Sequence, residues 1–74
     1  MRRVRVRSSS LAAVGYDEAG RILEVEYRNG AVYQYFAVPP AVHLALMAAP
    51  SLGRHMNAYV KPVFRCRRVR AASA

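Results

Sequence analysis

Arginine and tyrosine are the residues of this sequence best suited to do chemistry, since it contains eleven arginines, one lysine and five tyrosines. The planar fork of arginine pairs with phosphates, and a tyrosine ring can stack on an unpaired base. Four acidic residues leave a net charge of +8 over 74 residues, which indicates an anionic partner. The alternative explanation is the composition bias of a GC-rich genome, which the thirteen alanines and the single lysine would equally reflect.

The cations are concentrated at the two ends of the chain. Four arginines lie in residues 2–7 and six cations lie between Arg54 and Arg70, whereas all four acids lie between Asp17 and Glu26. The ends form one basic face if the fold brings them together, and two solvated arms if it does not. The residues predicted to bind nucleic acid are Tyr33, Tyr35, Arg28, Arg54, Lys61, Arg65, Arg67 and Arg68, with Arg2, Arg3, Arg5 and Arg7 adding to the same face.

The sequence offers no matched set of residues for catalysis or metal binding. The run of three serines has no neighbouring base, and Glu24 and Glu26 fit the exposed face of a strand. His43 and His55 belong to different predicted helices and Cys66 lies near the C-terminus, so no zinc site is expected. We therefore expect no enzyme, no metal and no cofactor. A single cysteine also excludes an internal disulfide, which favours a reducing, cytoplasmic compartment.

Residues 3–7 and 21–28 alternate apolar with polar side chains, a pattern typical of strands, and residues 11–16 form a short apolar run that also suits a strand. Residues 3–7 alternate with Val4 and Val6 facing inward, and residues 11–16, 21–28 and 31–38 are predicted to be further strands. The Asn-Gly pair at 29–30 predicts a tight hairpin, because both residues accept a positive φ. Residues 63–74 fit either a last edge strand or a frayed tail.

Prolines divide the second half into two predicted helices. Pro40 suits the first turn of a helix over residues 41–49, and Ser51 suits the N-cap of a second helix that Pro62 ends. Strands followed by helices predict an α+β fold, an antiparallel three- to four-stranded meander followed by two short helices packed on one face. The predicted divisions are a basic N-terminal segment or edge strand at 1–7, one domain at 8–64 and an Arg-rich C-terminal tail at 65–74.

The hairpin register decides where Tyr33 and Tyr35 point. A two-residue turn pairs Glu26 with Tyr33 and exposes both rings, whereas a three-residue turn pairs Val25 with Tyr33 and turns both rings toward the core. Gln34, which lies between the tyrosines, fits an outward position better than an apolar face. This favours the three-residue turn, with the tyrosine hydroxyls at the rim of the core.

The first predicted helix is apolar all round, with one polar residue between its flanking prolines. A helix of that kind is normally buried on several sides, which so small a domain can hardly provide. We therefore predict that His43, Leu44 and Met47 form a partner interface, for a protein or for a second copy of the chain. The alternative is that the small alanines of this helix are simply tolerated at the surface.

An ordered set of residues resembles a known family, the KTSC domain. That family is named for a C-terminal extension on some lysyl-tRNA synthetases and also occurs as small free-standing bacterial and phage proteins. The resemblance implies a domain of unknown function, with RNA binding suggested by the synthetase context and no catalytic residues. This sequence departs from the pattern at His43, at His55-Met56, at Pro62 and in its arginine-rich ends. The resemblance covers roughly residues 6–64 and rests on Val6, Ser8-Ser9, Leu11, Val14-Gly15-Tyr16-Asp17, Leu23-Glu24-Val25-Glu26-Tyr27, Gly30, Tyr33-x-Tyr35, Val38-Pro39, Val42, Leu46, Ser51, Gly53, Asn57 and Val60.

Two functions of different classes follow from these patterns. The first is a small basic module that binds nucleic acid, RNA in particular or another polyanion, with low sequence specificity. The second is a protein-interaction or regulatory module that binds an acidic partner surface or self-associates through the first helix. Because the sequence has no uninterrupted run of about 18 apolar residues, no membrane partner is expected.

Overall fold

A computed structural model describes residues 1–73 as one antiparallel sheet with helices packed on one of its faces. The five strands follow chain order across the sheet. Along the sequence, the helices are inserted between the fourth and the fifth strand. The elements are β1 (Val4–Arg5), β2 (Leu11–Asp17), β3 (Ile22–Tyr27), β4 (Val32–Tyr35), α1 (Pro40–Ala48), α2 (Leu52–His55), a π-helical segment (Met56–Val60) and β5 (Cys66–Arg70).

The predicted α+β meander with two short helices on one face is therefore confirmed, but the sheet has five strands rather than three or four. The additional strand is β5, within the segment expected to be an Arg-rich tail, and it pairs with β4 from Tyr35–Cys66 to Val32–Arg70. Beyond β5 the chain reaches the β3–β4 hairpin, where the Ser73 N–H donates to the Asn29 carbonyl (2.7 Å). The division at residue 65 thus does not coincide with an end of the sheet, and Ala74 lies outside the described residues.

The β3–β4 hairpin adopts the three-residue turn that the sequence favoured. The Tyr27 N–H donates to Ala31 O (2.8 Å), and the Gly30 N–H donates to Tyr27 O (3.0 Å). Gly30 has a φ of 94°, a conformation that glycine adopts without steric cost. Val25 consequently lies opposite Tyr33, so both strand tyrosines lie on the helix-covered face.

The core lies between that face and the helices. Leu46 of α1 and Met56 and Val60 of the π-helical segment are fully buried against the sheet. Ser51 caps α2 as predicted, since its hydroxyl accepts the Arg54 N–H (3.3 Å). In residues 1–73, no helix is long and apolar enough to cross a membrane. The buried cluster consists of Leu11, Val14, Leu23, Val25, Tyr35, Val38, Leu46, Met56 and Val60.

The N-terminal strand is shorter than the alternation at residues 3–7 predicts. Only two residues of β1 pair with β2, and Val4 is 59% exposed although it lies opposite Val14. Val4 thus lies on the predicted inward face but is not buried, since its side chain lines an open cleft of about 600 Å³ together with Leu44 of α1. Val6 does pack against the core, and its N–H donates to Ala12 O (3.1 Å).

Candidate functional site

A groove of about 680 Å³ opens at the hairpin end of the helix-covered face. Its aromatic lining comes from Tyr27 at the end of β3 and from Tyr33 and Tyr35 of β4. Its cations come from three other places: Arg28 after β3, Lys61 after the π-helical segment and Arg68 in β5.

The three tyrosines pack against one another along the groove. The Tyr33 ring lies edge-on to Tyr27, with centroids 5.8 Å apart, and nearly parallel to Tyr35 at 6.4 Å. Tyr35 is only 2% exposed, whereas Tyr27 and Tyr33 are half-buried. The Tyr27 and Tyr35 hydroxyls share a hydrogen bond of 2.7 Å, which gives the buried phenol a partner. Burial raises the pKa of both Tyr27 and Tyr35, so both hydroxyls remain protonated at neutral pH.

A π-helical turn places the lysine of the groove. The Lys61 N–H donates to Met56 O, five residues earlier, at 2.8 Å. The Lys61 Nζ then lies 5.1 Å from the centroid of the Tyr27 ring, within the range of a cation–π contact. Single π-helical turns are often found at functional sites. The helix prediction from prolines and periodicity does not reveal this turn.

The groove combines cations with aromatic rings and lacks carboxylates. Arg28 is anchored through its Nε, which donates to Ser8 O (2.6 Å), and Arg68 lies opposite Tyr33 in the sheet register. No aspartate or glutamate of residues 1–73 lines the groove. Three positive charges without a compensating carboxylate produce a local field that attracts anions.

The structure brings together five of the eight residues predicted to bind nucleic acid. The five that line the groove are Tyr33, Tyr35, Arg28, Lys61 and Arg68. The other three lie outside its lining: Arg54 belongs to α2, Arg65 precedes β5, and Arg67 lies opposite Gln34 on the other face of the sheet. Tyr27, which was not among the predicted binding residues, packs against the core and also lines the groove. The signal that could have found it is its period-two spacing with Leu23 and Val25, which puts it on the face of the other tyrosines.

The opposite, helix-free face carries an ion-pair network that includes both strand glutamates. Glu24 and Glu26 were expected on an exposed strand face, but neither is fully exposed. Glu24 is 6% exposed and accepts hydrogen bonds from Arg3 (2.7 Å) and from the Gln34 amide (2.8 Å). Glu26 contacts Arg3 at 3.5 Å and Arg70 at 3.3 Å. We call Arg3, Glu24, Glu26, Gln34 and Arg70 the open-face network.

The open-face network also shows which parts of the two basic ends of the chain lie on the same face of the sheet. Arg3 and Arg70 come from opposite edges of the sheet, and both reach Glu26 on the same face. Arg68, by contrast, belongs to the groove on the other face. The C-terminal cluster is therefore divided between the two faces, and part of the formal positive charge is paired within the protein.

The residues predicted as a partner interface on α1 differ in their exposure. Leu44 is 66% exposed and Met47 is 37% exposed. His43 is half-buried, and its ring is stacked on Tyr16 at 4.5 Å with an interplanar angle of 11°. Burial lowers the pKa of His43, which favours the neutral ring in this stack. An apolar surface on α1 is thus formed by Leu44 and Met47, with His43 packed inward.

These features define a small α+β domain with a basic, tyrosine-lined groove. The sequence profile of the KTSC domain matches residues 7–64. The chain therefore belongs to the KTSC domain family, as its ordered motifs indicated.

Relatives of this chain include both free-standing proteins and parts of larger ones. It is 56% identical over 62 residues to an uncharacterised protein of Stutzerimonas stutzeri, covering 84% of this chain and 87% of that protein. It is 36% identical over 62 residues to a lysine–tRNA ligase of Nostoc punctiforme, covering 84% of this chain but only 11% of the ligase. A crystal structure of a KTSC domain protein from Yersinia pestis superposes with a TM-score of 0.88 at 38% identity, covering 93% of this chain and 97% of that one.

Proposed function

We propose that this chain is a small nucleic-acid-binding module that acts on RNA with low sequence specificity, and that it works as a binding protein rather than an enzyme. The observation that carries the proposal is the groove, in which three tyrosines and three cations meet with no aspartate or glutamate of the described residues in the lining. Rings that stack on bases tolerate any sequence, because every base has a π-face. The cations supply contacts to phosphate, which are equally independent of sequence.

Two further observations support RNA and a cytoplasmic location. The domain resembles a segment of an enzyme that is named as a lysine–tRNA ligase, whose substrate is an RNA. The exposed free thiol of Cys66 fits a reducing compartment, since an exposed thiol is prone to oxidation elsewhere. Neither observation depends on the net charge, so both are independent of genome composition.

We expect the affinity for a fluorescently labelled random RNA pool, measured by anisotropy, to fall steeply between 50 and 200 mM salt, roughly the range over which phosphate contacts are screened. Lys61→Ala and Arg68→Ala should each lower the salt slope by about 1 and weaken binding about 5- to 8-fold at ~0.1 M salt. Arg54→Ala is the matched control, because Arg54 is an exposed cation outside the groove. A pool that fails to bind even at low salt, or an Arg54 effect equal to that of Arg68, would contradict the proposal.

The second candidate function is protein interaction, and the exposure of Leu44 and Met47 on α1 is the observation that favours it. Exposed apolar side chains on an apolar helix can be covered by a second copy of the chain or by another protein. We expect sedimentation velocity to show a concentration-dependent dimer that Leu44→Lys abolishes. A monomeric mass at every concentration would exclude self-association, and capture of a protein that survives nuclease treatment would favour a different partner.

A further inference from the structure

We infer that the groove takes an unpaired stretch of nucleic acid, about one or two nucleotides long, and not the side of a duplex. This inference rests on the proposed function and names the form of nucleic acid that the site accepts. Three observations support this form of ligand: the aromatic lining of the groove, its dimensions, and the charges on the other face of the sheet.

The aromatic lining requires a base with a free face. Tyr35 is buried at the base of the groove, and the half-buried Tyr33 ring packs nearly parallel to it, so Tyr33 is the ring of this pair that a ligand can reach. The bases of a duplex are stacked on both faces and cannot present one to a ring in a groove. Only a single strand, a loop or an end can place a base against Tyr33.

The dimensions of the groove fit a short ligand. Its volume of about 680 Å³ lies within the roughly 300–1,000 Å³ of sites that hold one small molecule. Domains that bind double-stranded RNA instead track about 16 base pairs along two successive grooves. Here Arg28, Lys61 and Arg68 all border the one groove that the tyrosines line, so its positive charge is confined to a short site.

The other face of the sheet is poorly suited to a duplex. Its centre carries Glu24 and Glu26, whose carboxylates would repel phosphates laid across them. Arg3 and Arg70 are already paired with these glutamates, and the remaining cations of this face, Arg5 and Arg67, belong to the two edge strands of the sheet. The groove, by contrast, combines three cations with aromatic rings and is lined by no aspartate or glutamate of residues 1–73, and it is too short for a long helical track.

The test compares a labelled 12-nucleotide oligouridine, which cannot pair with itself, with a blunt 12-base-pair RNA duplex. The full chain is used in 50 mM salt. We expect the single strand to bind at least about 10-fold more tightly than the duplex, since one stacked base contributes roughly that factor. Tyr33→Ala should weaken single-strand binding about 5- to 100-fold, and Tyr33→Phe, which keeps the ring, should leave it unchanged. Tyr59→Ala is the matched control, because Tyr59 is 63% exposed and does not line the groove.

A second readout uses the unaltered protein and does not depend on any variant folding. Cys66 lines the groove and is the single thiol of the chain, so saturating oligouridine should slow its alkylation by a maleimide. Equal binding of single strand and duplex, a Tyr33→Ala protein that binds normally, or unchanged alkylation of the complex would each overturn the inference while the proposed function stands. Failure of both RNAs to bind would overturn the proposed function itself.

Discussion

Replacing Leu46 with alanine is expected to lower the free energy of unfolding by about 2–5 kcal/mol. Leu46 is fully buried and is the one buried residue of α1, so its side chain is the main anchor of that helix on the sheet. Truncation removes apolar contacts and leaves a cavity that a nine-residue helix can only partly close. A domain of 74 residues has a total stability of only about 4–11 kcal/mol, so the loss is a large fraction of it.

Leu44→Ala is the matched control for this prediction, since it makes the same chemical change two residues earlier in the same helix. Leu44 is 66% exposed, and its replacement should change stability by no more than about 0.5 kcal/mol. Urea denaturation followed by far-ultraviolet circular dichroism measures both variants. If Leu46→Ala proves unfolded in water, Leu46→Val should still show a loss of about 1 kcal/mol. Equal midpoints for the two alanine variants would show that α1 is not anchored through Leu46.

Local patterns predict most of this fold. The prolines and Ser51 place both helices, the alternation of apolar and polar residues places β3, and an apolar run and the Asn-Gly turn place β2 and β4. The polarity of Gln34 between two tyrosines indicates the hairpin register, because one residue of slip exchanges the two faces of a strand. The sequence left the segment of β5 open between an edge strand and a frayed tail, because all five residues of the strand are exposed and carry no pattern of burial. The defining feature of β5 is backbone pairing with β4, which side-chain alternation does not report.

The candidate site is predictable only where its residues share a strand or a clear period. Tyr33 and Tyr35 stand out as a pair on one strand, but their grouping with Lys61 depends on a π-helical turn that no local pattern indicates. The burial of Glu24 is likewise invisible in sequence, because its partners Arg3 and Gln34 lie 21 and 10 residues away. Contacts across strands, rather than residue type, decide which charges are paired within the protein and which can meet a ligand.

Glu24→Lys tests this division of the charges and is expected to cost about 2–4 kcal/mol of stability. The replacement removes the acceptor for Arg3 and Gln34 and puts a second cation beside Arg3 in a position that is 6% exposed. Breaking a fully buried ion pair typically costs roughly 3–5 kcal/mol, and the expected loss is smaller here because water reaches Arg3. Urea is the denaturant to use, since guanidinium is itself a salt and would screen the charges that the replacement alters.

Glu18→Lys is the control, because it changes the net charge of +8 by the same two units at an exposed turn. It should alter stability by no more than about 0.5 kcal/mol. If the lysine variant at position 24 does not fold, Glu24→Gln should lose about 1–2 kcal/mol, because it removes the charge but keeps an acceptor for Arg3. A Glu24→Lys protein as stable as the Glu18→Lys protein would mean that the open-face network contributes nothing to the fold. The arginines of both ends would then be available to a ligand on that face, which would compete with the groove as the binding surface.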